Sequence, residues 1–432
     1  MVRKKIEDLG KVISGGTPST KNERYWGGDI AWITPKDLSK HNSMFIFKGE
    51  RGITEEGLKN SSAYTVPTGT VLFSSRAPIG YVAIAGKNLT TNQGFKNIVV
   101  NDENDNLFIY YLLKNNIKFI ESHANGSTFK EISAKVFKNL EFDVPNLDTQ
   151  RKISKILSTL DSKIELNNQI ISNLEELASA LFKRWFVDFE FPDENGNPYK
   201  SSGGKMVDSE LGEIPEGWKV SSLLNSNSQI ISGDWGKENP INNYTKKVKV
   251  IRGADIVEID KGQLGKTPTR YILEKNFINK AVQPMDIIIE ISGGSPSQST
   301  GRNVLISSST ISRFDEPLVC TNFCKVIRLK DVKSAFYIND YLKYLYSKDI
   351  FFNYENGTTG IKNLDYNSLL NVMKVKMCKD INLINRYYDF RINIENKKNM
   401  FGEEVQTLIT LRDSLLPKLL SGEIELPEDE EV

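Results

Sequence analysis

Two stretches of the chain carry apolar residues at alternating spacings of four and three. The first is Ile153, Leu157, Leu160, Ile164, Asn167, Ile171, Leu174, Ala178 and Leu181. The second is Leu383, Tyr387, Phe390, Ile394, Lys397, Phe401, Glu404, Leu408 and Leu411. A rhythm kept over four heptads predicts two long helices, each with a narrow seam that needs a partner. A helix that only covers its own domain would show a wider apolar stripe. Every seam position of the second helix lies 230 residues after its counterpart, so polar Asn167 matches polar Lys397. The pattern therefore predicts that the seams pack on each other as an antiparallel coiled coil, with Asn167 and Lys397 setting the register. Thirty-odd residues at 1.5 Å each make a spacer of roughly 50 Å. Asp148 and Asp380 stand where a carboxylate can cap the helix starts, and Pro417 is expected to stop or kink the second helix.

The rest of the chain describes itself twice. Ile13-Ser14-Gly15 returns as Ile231-Ser232-Gly233, and Ile30-Ala31-Trp32-Ile33 as Val248-Lys249-Val250-Ile251. Thr91-Asn92-Gln93-Gly94-Phe95 is answered by Thr321-Asn322-Phe323-Cys324, and Asn125-Gly126-Ser127-Thr128 by Asn356-Gly357-Thr358-Thr359. Collinear order at similar spacing points to two copies of one module. Within them Val71–Phe73, Tyr81–Ile84, Ile98–Val100, Ile287–Ile289 and Lys325–Ile327 read as strands, and Leu107–Ile120 and Ala335–Tyr346 as helices. The expected fold class is α+β: two tandem, similar α/β modules, each followed by a long helix. The expected boundaries are 1–147 and 216–379 for the modules, 148–190 and 380–420 for the helices, 191–215 for a polar linker and 421–432 for an acidic tail. Gly15, Gly80 and Gly126 are expected at backbone turns.

Composition removes most catalytic classes. The 432 residues include two histidines (His41 and His123) and three cysteines, too few for a histidine-rich metal centre or a disulfide framework. Cys320 and Cys324 have the spacing of half a zinc site with no second half, so both read as apolar strand residues. No phosphate-cradling glycine loop is present, and no Asn-Pro-Pro-aromatic or Asp-Pro-Pro-aromatic word of an adenine methyltransferase. No catalytic residue, metal ligand or cofactor site is expected. Few cysteines, no leader-like N-terminus and no long apolar run predict a cytoplasmic protein without a membrane segment.

The charge is more telling in its distribution than in its sum. The net charge is +1, yet six acids crowd the last ten residues. The first hundred residues hold 14 basic against 8 acidic side chains. There Thr17, Lys21, Arg24, Lys36, Ser74, Ser75 and Arg76 mix small polar and basic groups, a combination suited to phosphates, with arginine, asparagine and glutamine able to read base edges. The second copy offers Lys246, Arg252, Ser292, Gln298 and Arg302. These are the candidate DNA contacts.

Several words in order resemble one family along nearly the whole chain. They are Ile13-Ser14-Gly15-Gly16-Thr17-Pro18-Ser19, Ser74-Ser75-Arg76-Ala77-Pro78-Ile79-Gly80, Asn92-Gln93-Gly94-Phe95 and Asn125-Gly126-Ser127-Thr128. Further on come Gln150-Arg151-Lys152-Ile153, Leu181-Phe182-Lys183-Arg184-Trp185-Phe186 and Leu415-Leu416-Pro417-Lys418-Leu419-Leu420-Ser421-Gly422-Glu423. The sequence resembles the specificity subunit of type I restriction-modification enzymes. The resemblance implies a non-catalytic DNA-reading adaptor in which each module recognises one half of a split target and the helices set the gap. It implies double-stranded DNA, two methyltransferase subunits bringing S-adenosylmethionine, and motor-nuclease subunits as partners. It adds Asn92, Gln93 and Ser127 to the DNA-contact candidates. The second copy lacks both the Gly-Gly-Thr-Pro-Ser word and the Gln-Arg-Lys-Ile helix start, which leaves its contacts less guided. The competing expectation is a coiled-coil scaffold that binds only proteins.

Overall fold

The computed structural model describes residues 1–426 except 42, 127–129, 225–227, 296 and 358–361. The fold is α+β, in two compact units: Met1–Glu165 with Thr407–Val432, and Leu166–Gln406. Each long helix contributes its first half to one unit and its second half to the other. Among the described residues no helix is long and apolar enough to cross a membrane.

The first unit is built on a five-stranded sheet in the order Gly10–Ser14, Phe95–Val100, Val71–Ser75, Ile79–Ala85, Phe45–Ile46. A three-stranded sheet carries Arg51–Ile53, Trp26–Ile33 and Thr90–Thr91, the last pair parallel. Val71, Leu72 and Phe73 are wholly buried, so this strand is apolar on both faces. Helix Asn106–Asn115, capped by Asp105 through the Phe108 N–H (2.8 Å), closes one side of the core. It ends at Asn116, and Ile117–Ser122 forms a separate helix, so the expected single helix over 107–120 is broken. Val2–Lys5 pairs antiparallel with Glu141–Val144 and delivers the chain into the helix Leu147–Phe182.

The second unit uses the same strand order. Gln229–Ser232, Cys324–Arg328, Asp286–Glu290 and Asn303–Ile306 form its larger sheet. Thr269–Leu273, Tyr244–Ile251 and Leu318–Cys320 form the smaller one, again with a parallel last pair. Lys219–Ser221 pairs antiparallel with Val375–Met377 before the helix Ile381–Ser421. Residues 191–215, expected as a polar linker, are folded onto this unit. Phe191 stacks on Tyr199 (4.5 Å between ring centres) and on Trp218 (5.9 Å), because their rings bury more apolar surface than the surrounding polar residues can oppose.

The helix starts and ends differ in detail from the sequence reading. Asn146, not Asp148, caps the first helix through the Thr149 N–H (2.9 Å); Asp380 does cap the second, through Asn382 N–H (2.8 Å). The first helix gives way to a π turn at Lys183–Val187, where Phe182 and Phe186 both enter the aromatic core. Pro417 lies inside the second helix without ending it.

Within the second unit the helix segments run antiparallel. Asn167 donates to Glu404 (2.8 Å), Glu175 pairs with Lys398, and Phe182 meets Tyr387 (6.3 Å). The second seam buries Leu383, Tyr387 and Ile394 as the apolar pattern predicts, but elsewhere it runs one residue later: Arg391, Lys398, Gly402 and Val405 are buried, whereas Lys397 and Leu411 are exposed. Asn167 therefore sets its register against Glu404 and not against Lys397. The cause is charge neutralised in place. Arg391 grips Asp340 through Nε (2.6 Å) and Nη2 (3.2 Å), and the Tyr387 hydroxyl donates to the same carboxylate (2.6 Å). Lys398 is surrounded by Glu175, Glu395 (3.3 Å) and Asp260 (3.6 Å). At Gly402 the helix passes so close to Gly262 that a Cβ would lie 2.1 Å from its carbonyl oxygen.

Asp340→Ala should leave the buried Arg391 uncompensated and destabilise the second unit by about 3–5 kcal/mol, read as a lower denaturation midpoint. Acid should act at Glu175. Burial opposes its charge, but Lys343 and Lys398 hold the carboxyl well below the usual carboxylate range. A depressed carboxyl gives stability that is present above its unfolded value and lost as pH falls through the folded one. The melting temperature should thus hold from pH 7 to about 5 and fall below that, and Glu175→Gln should flatten the fall while lowering the plateau.

Candidate nucleic-acid interface

In the first unit the segment after Gly10–Ser14 is held across the sheet edge by two indoles. Trp32 Nε1 donates to the Gly16 carbonyl (2.9 Å) and Trp26 Nε1 to the Ser19 carbonyl (3.2 Å). The two rings meet edge to face at 4.9 Å, and the Arg51 guanidinium lies 3.6 Å over Trp26. Gly15 is required by proximity and not by a turn: a Cβ there would sit 2.0 Å from the Asn92 carbonyl oxygen. Gly80 and Gly126 do adopt positive φ.

This packing brings Thr17, Asn92, Gln93 and Arg76 to one place. The Thr17 hydroxyl bonds Gln93, and Asn92 Oδ1 accepts from the Gly94 N–H (2.9 Å). Arg76 runs along Gly94 and pairs loosely with Glu131 (3.5 Å). Beneath them burial pulls the Lys96 ammonium below its ordinary range, Glu131 opposing and Arg76 adding to that fall. Lys21 and Arg24 are exposed on the following turn, and Lys36, also exposed, is paired with Glu50 (2.9 Å). Ser74 and Ser75 are fully buried, bonded to Pro78 (2.8 Å) and Gly94 (3.1 Å), so these two cannot be surface contacts; strand alternation fails where both faces are covered. Ser127 lies outside the described residues.

The second unit repeats the backbone of this tip. The Ile33 carbonyl accepts from Asn92 N–H and the Ile251 carbonyl from Thr321 N–H, both at 2.9 Å. Thr91 accepts from Gly16 (2.9 Å) as Cys320 does from Asp234 (2.8 Å). Ser75 donates to Gly94 (2.7 Å) as Ile291 does to Phe323 (2.8 Å). These bonds equate Thr91 with Cys320, Asn92 with Thr321 and Gly94 with Phe323. The matching Thr-Asn words are therefore one residue out of structural register. Gly233 repeats the constraint of Gly15, a Cβ there lying 2.0 Å from the Thr321 carbonyl oxygen.

The expected contacts of the second unit are less free than those of the first. Arg252 is held by Asp255 (2.8 and 2.9 Å) and the Lys266 carbonyl, and Arg302 grips Glu290 (2.9 and 2.6 Å), so both guanidinium forks already serve the fold. Ser292 bonds Asn363, Gln298 is exposed, and Lys246 sits over the Phe277 ring (4.3 Å). The sequence reading missed Arg51 on Trp26 and Arg270 over Trp235 (4.4 Å), an arginine–tryptophan pair at the smaller sheet of each unit. It also missed Phe323, 57% exposed at the tip. Cys320 and Cys324 are buried strand residues with free thiols, both pushed up by burial, Cys324 to about 12. Among the described residues no acidic, histidine or cysteine side chains gather into a metal-binding group.

Residues 1–176 match the family model described as the type I restriction modification DNA specificity domain. The chain is 33% identical, over 98% of its length and 94% of the relative's, to the type I restriction enzyme MjaIX specificity subunit of Methanocaldococcus jannaschii. It is 29% identical to the HindI specificity subunit of Haemophilus influenzae over 40% of this chain and 39% of that one. Its fold is similar to the crystal structure of the type I restriction-modification S subunit from M. genitalium, with a TM-score of 0.57 at 16% identity, covering 99% of this chain and 96% of that one.

Gly15→Ala and Gly233→Ala should each force a backbone shift at the tip of one unit. Each should cost about 1–3 kcal/mol as an overpacked contact, measured as a lower melting temperature.

Proposed function

The chain belongs to the specificity subunits of type I restriction enzymes, and we propose that each of its two modules reads one half of a split DNA target. The observation that carries this reading is the repeated tip: one hydrogen-bond register in both units, with different side chains mounted on it. Matching hydrogen bonds that mount Arg76, Asn92, Gln93 and Gly94 in one case and Ser292, Thr321, Asn322 and Phe323 in the other suit two different half-sites. The antiparallel helices are the spacer between them. Bipartite contact turns the second half-site into an intramolecular event and so multiplies specificity.

The subunit supplies recognition and no chemistry of its own. Methyltransferase subunits carrying S-adenosylmethionine dock on it, and motor-nuclease subunits complete the restricting complex. Near-neutral net charge suits a reader whose partners contribute part of the clamp around DNA. Lys21 and Arg24, exposed and without ion-pair partners among the described residues, serve phosphates.

A methylation map tests the reading. The chain is expressed with its methyltransferase partner in a host lacking adenine methylation, and modified adenines are located by sequencing. A split motif with a fixed gap, absent without this chain, is the expected result; a stable complex that leaves no split motif contradicts it. One heptad added to both helices should lengthen the gap and leave the half-site letters unchanged. Lys21→Ala should weaken binding of all sequences alike and reduce the salt slope by about 1.

A further inference from the structure

The hydrogen-bond register makes residue-by-residue comparison of the two tips possible. Ser75 and Ile291 are equivalent donors, so Arg76 corresponds to Ser292; Gly94 corresponds to Phe323. At one place the first unit has a large cation beside a glycine, and at the same place the second has a small hydroxyl beside a phenylalanine. The two positions are neighbours in both units: Arg76 Cγ lies 3.4 Å from where a Gly94 Cβ would be, and the Ser292 N–H donates to the Phe323 carbonyl (3.3 Å).

Single exposed apolar residues are common on protein surfaces and need no explanation. Phe323 differs in how it is held. Its N–H donates to Thr321 Oγ1 (3.1 Å), its carbonyl accepts from Ile291 (2.8 Å), and Cys324 N–H closes the turn on the Thr321 carbonyl (3.0 Å). The backbone is fixed on both sides, yet the residue remains 57% exposed. Lys325, which follows on the strand, bonds Ser232 (2.7 Å), so the neighbouring cation is drawn off to the side. A solvent-facing ring carried on this fixed backbone cannot donate or accept hydrogen bonds with a base edge. What it can meet in a major groove is the C5-methyl of thymine, the one apolar group displayed there.

We propose that Phe323 is the apolar specificity determinant of the second unit, packing on the C5-methyl of a thymine in its half-site, where the first unit presents Arg76 beside Gly94. This rests on the half-site reading above. The Arg76–Gly94 and Ser292–Phe323 pairs then make the chemical difference between the two readers at this position, hydrogen-bonding in one and apolar in the other.

The test uses the complex with its methyltransferase partner and duplexes carrying the mapped motif. Each thymine of both half-sites is replaced in turn by deoxyuridine, which removes only the methyl group. The wild-type complex should lose about fourfold in affinity at one thymine of one half-site, the worth of a buried methyl. Phe323→Ala should bind the thymine and deoxyuridine duplexes equally, and Phe323→Leu should keep part of the preference, with unchanged melting temperatures. The proposal is overturned if the half-site lacks thymine, if no position responds, or if the response survives in Phe323→Ala. It is equally overturned if Phe323→Ala weakens binding whatever the base, as a ring wedged between base steps would. A complex that binds no split motif at all removes the half-site reading instead, and is thereby distinguished from failure of Phe323 alone.

Discussion

A glycine pressed against a carbonyl organises the tip of each unit. At Gly15 and again at Gly233, the segment leaving the first strand of the larger sheet passes within Cβ distance of the loop that leaves the smaller sheet. Only a residue without a side chain permits that approach. It lets Gly16 and Asp234 donate to that loop, and it fixes the loop's own internal bonds. The two sheets of a unit are thus joined at one edge, and the side chains carried there inherit a set geometry. The side chains on this tip can change by substitution while the backbone stays the same, which is what the two units of this chain display.

The helices depend on a second constraint, of opposite chemistry. Arg391 and Lys398 take positions that a heptad reserves for apolar residues, and each is matched by carboxylates from the globular part of the unit or from the facing helix. In the first unit a smaller version occurs, where Asp161 accepts from the Tyr111 hydroxyl (2.7 Å) and from Arg412 (2.6 Å). Buried pairs of this kind add little stability over an apolar contact, but they penalise every register that separates them. They therefore tie helix to module at defined positions.

Much of the architecture was legible because duplication and heptad rhythm are carried by many residues at once. Strands such as Val71–Ser75 and Asp286–Glu290, and both long helices, follow directly from apolar runs and spacing. The errors share a physical origin. Lys397 was placed in the seam because periodicity scores hydrophobicity and cannot see that Lys398, one residue on, is neutralised by Glu175 and Asp260. Ser74 and Ser75 read as surface polar residues, although their hydroxyls are satisfied inside the sheet. Arg252 and Arg302 read as free cations because their carboxylate partners, Asp255 and Glu290, are found only once the chain is folded. Phe323 was part of a repeated word but not a contact candidate for the converse reason: an apolar letter gives no sign that it will face solvent.

If each module reads its own half-site, replacing residues 216–379 with a second copy of residues 1–147 should change one half of the target and nothing else. The methylation map of that chimera is the most direct measurement. Two half-sites carrying the same letters at the original gap are expected. A motif that keeps its original two different halves would contradict the division of recognition between the modules.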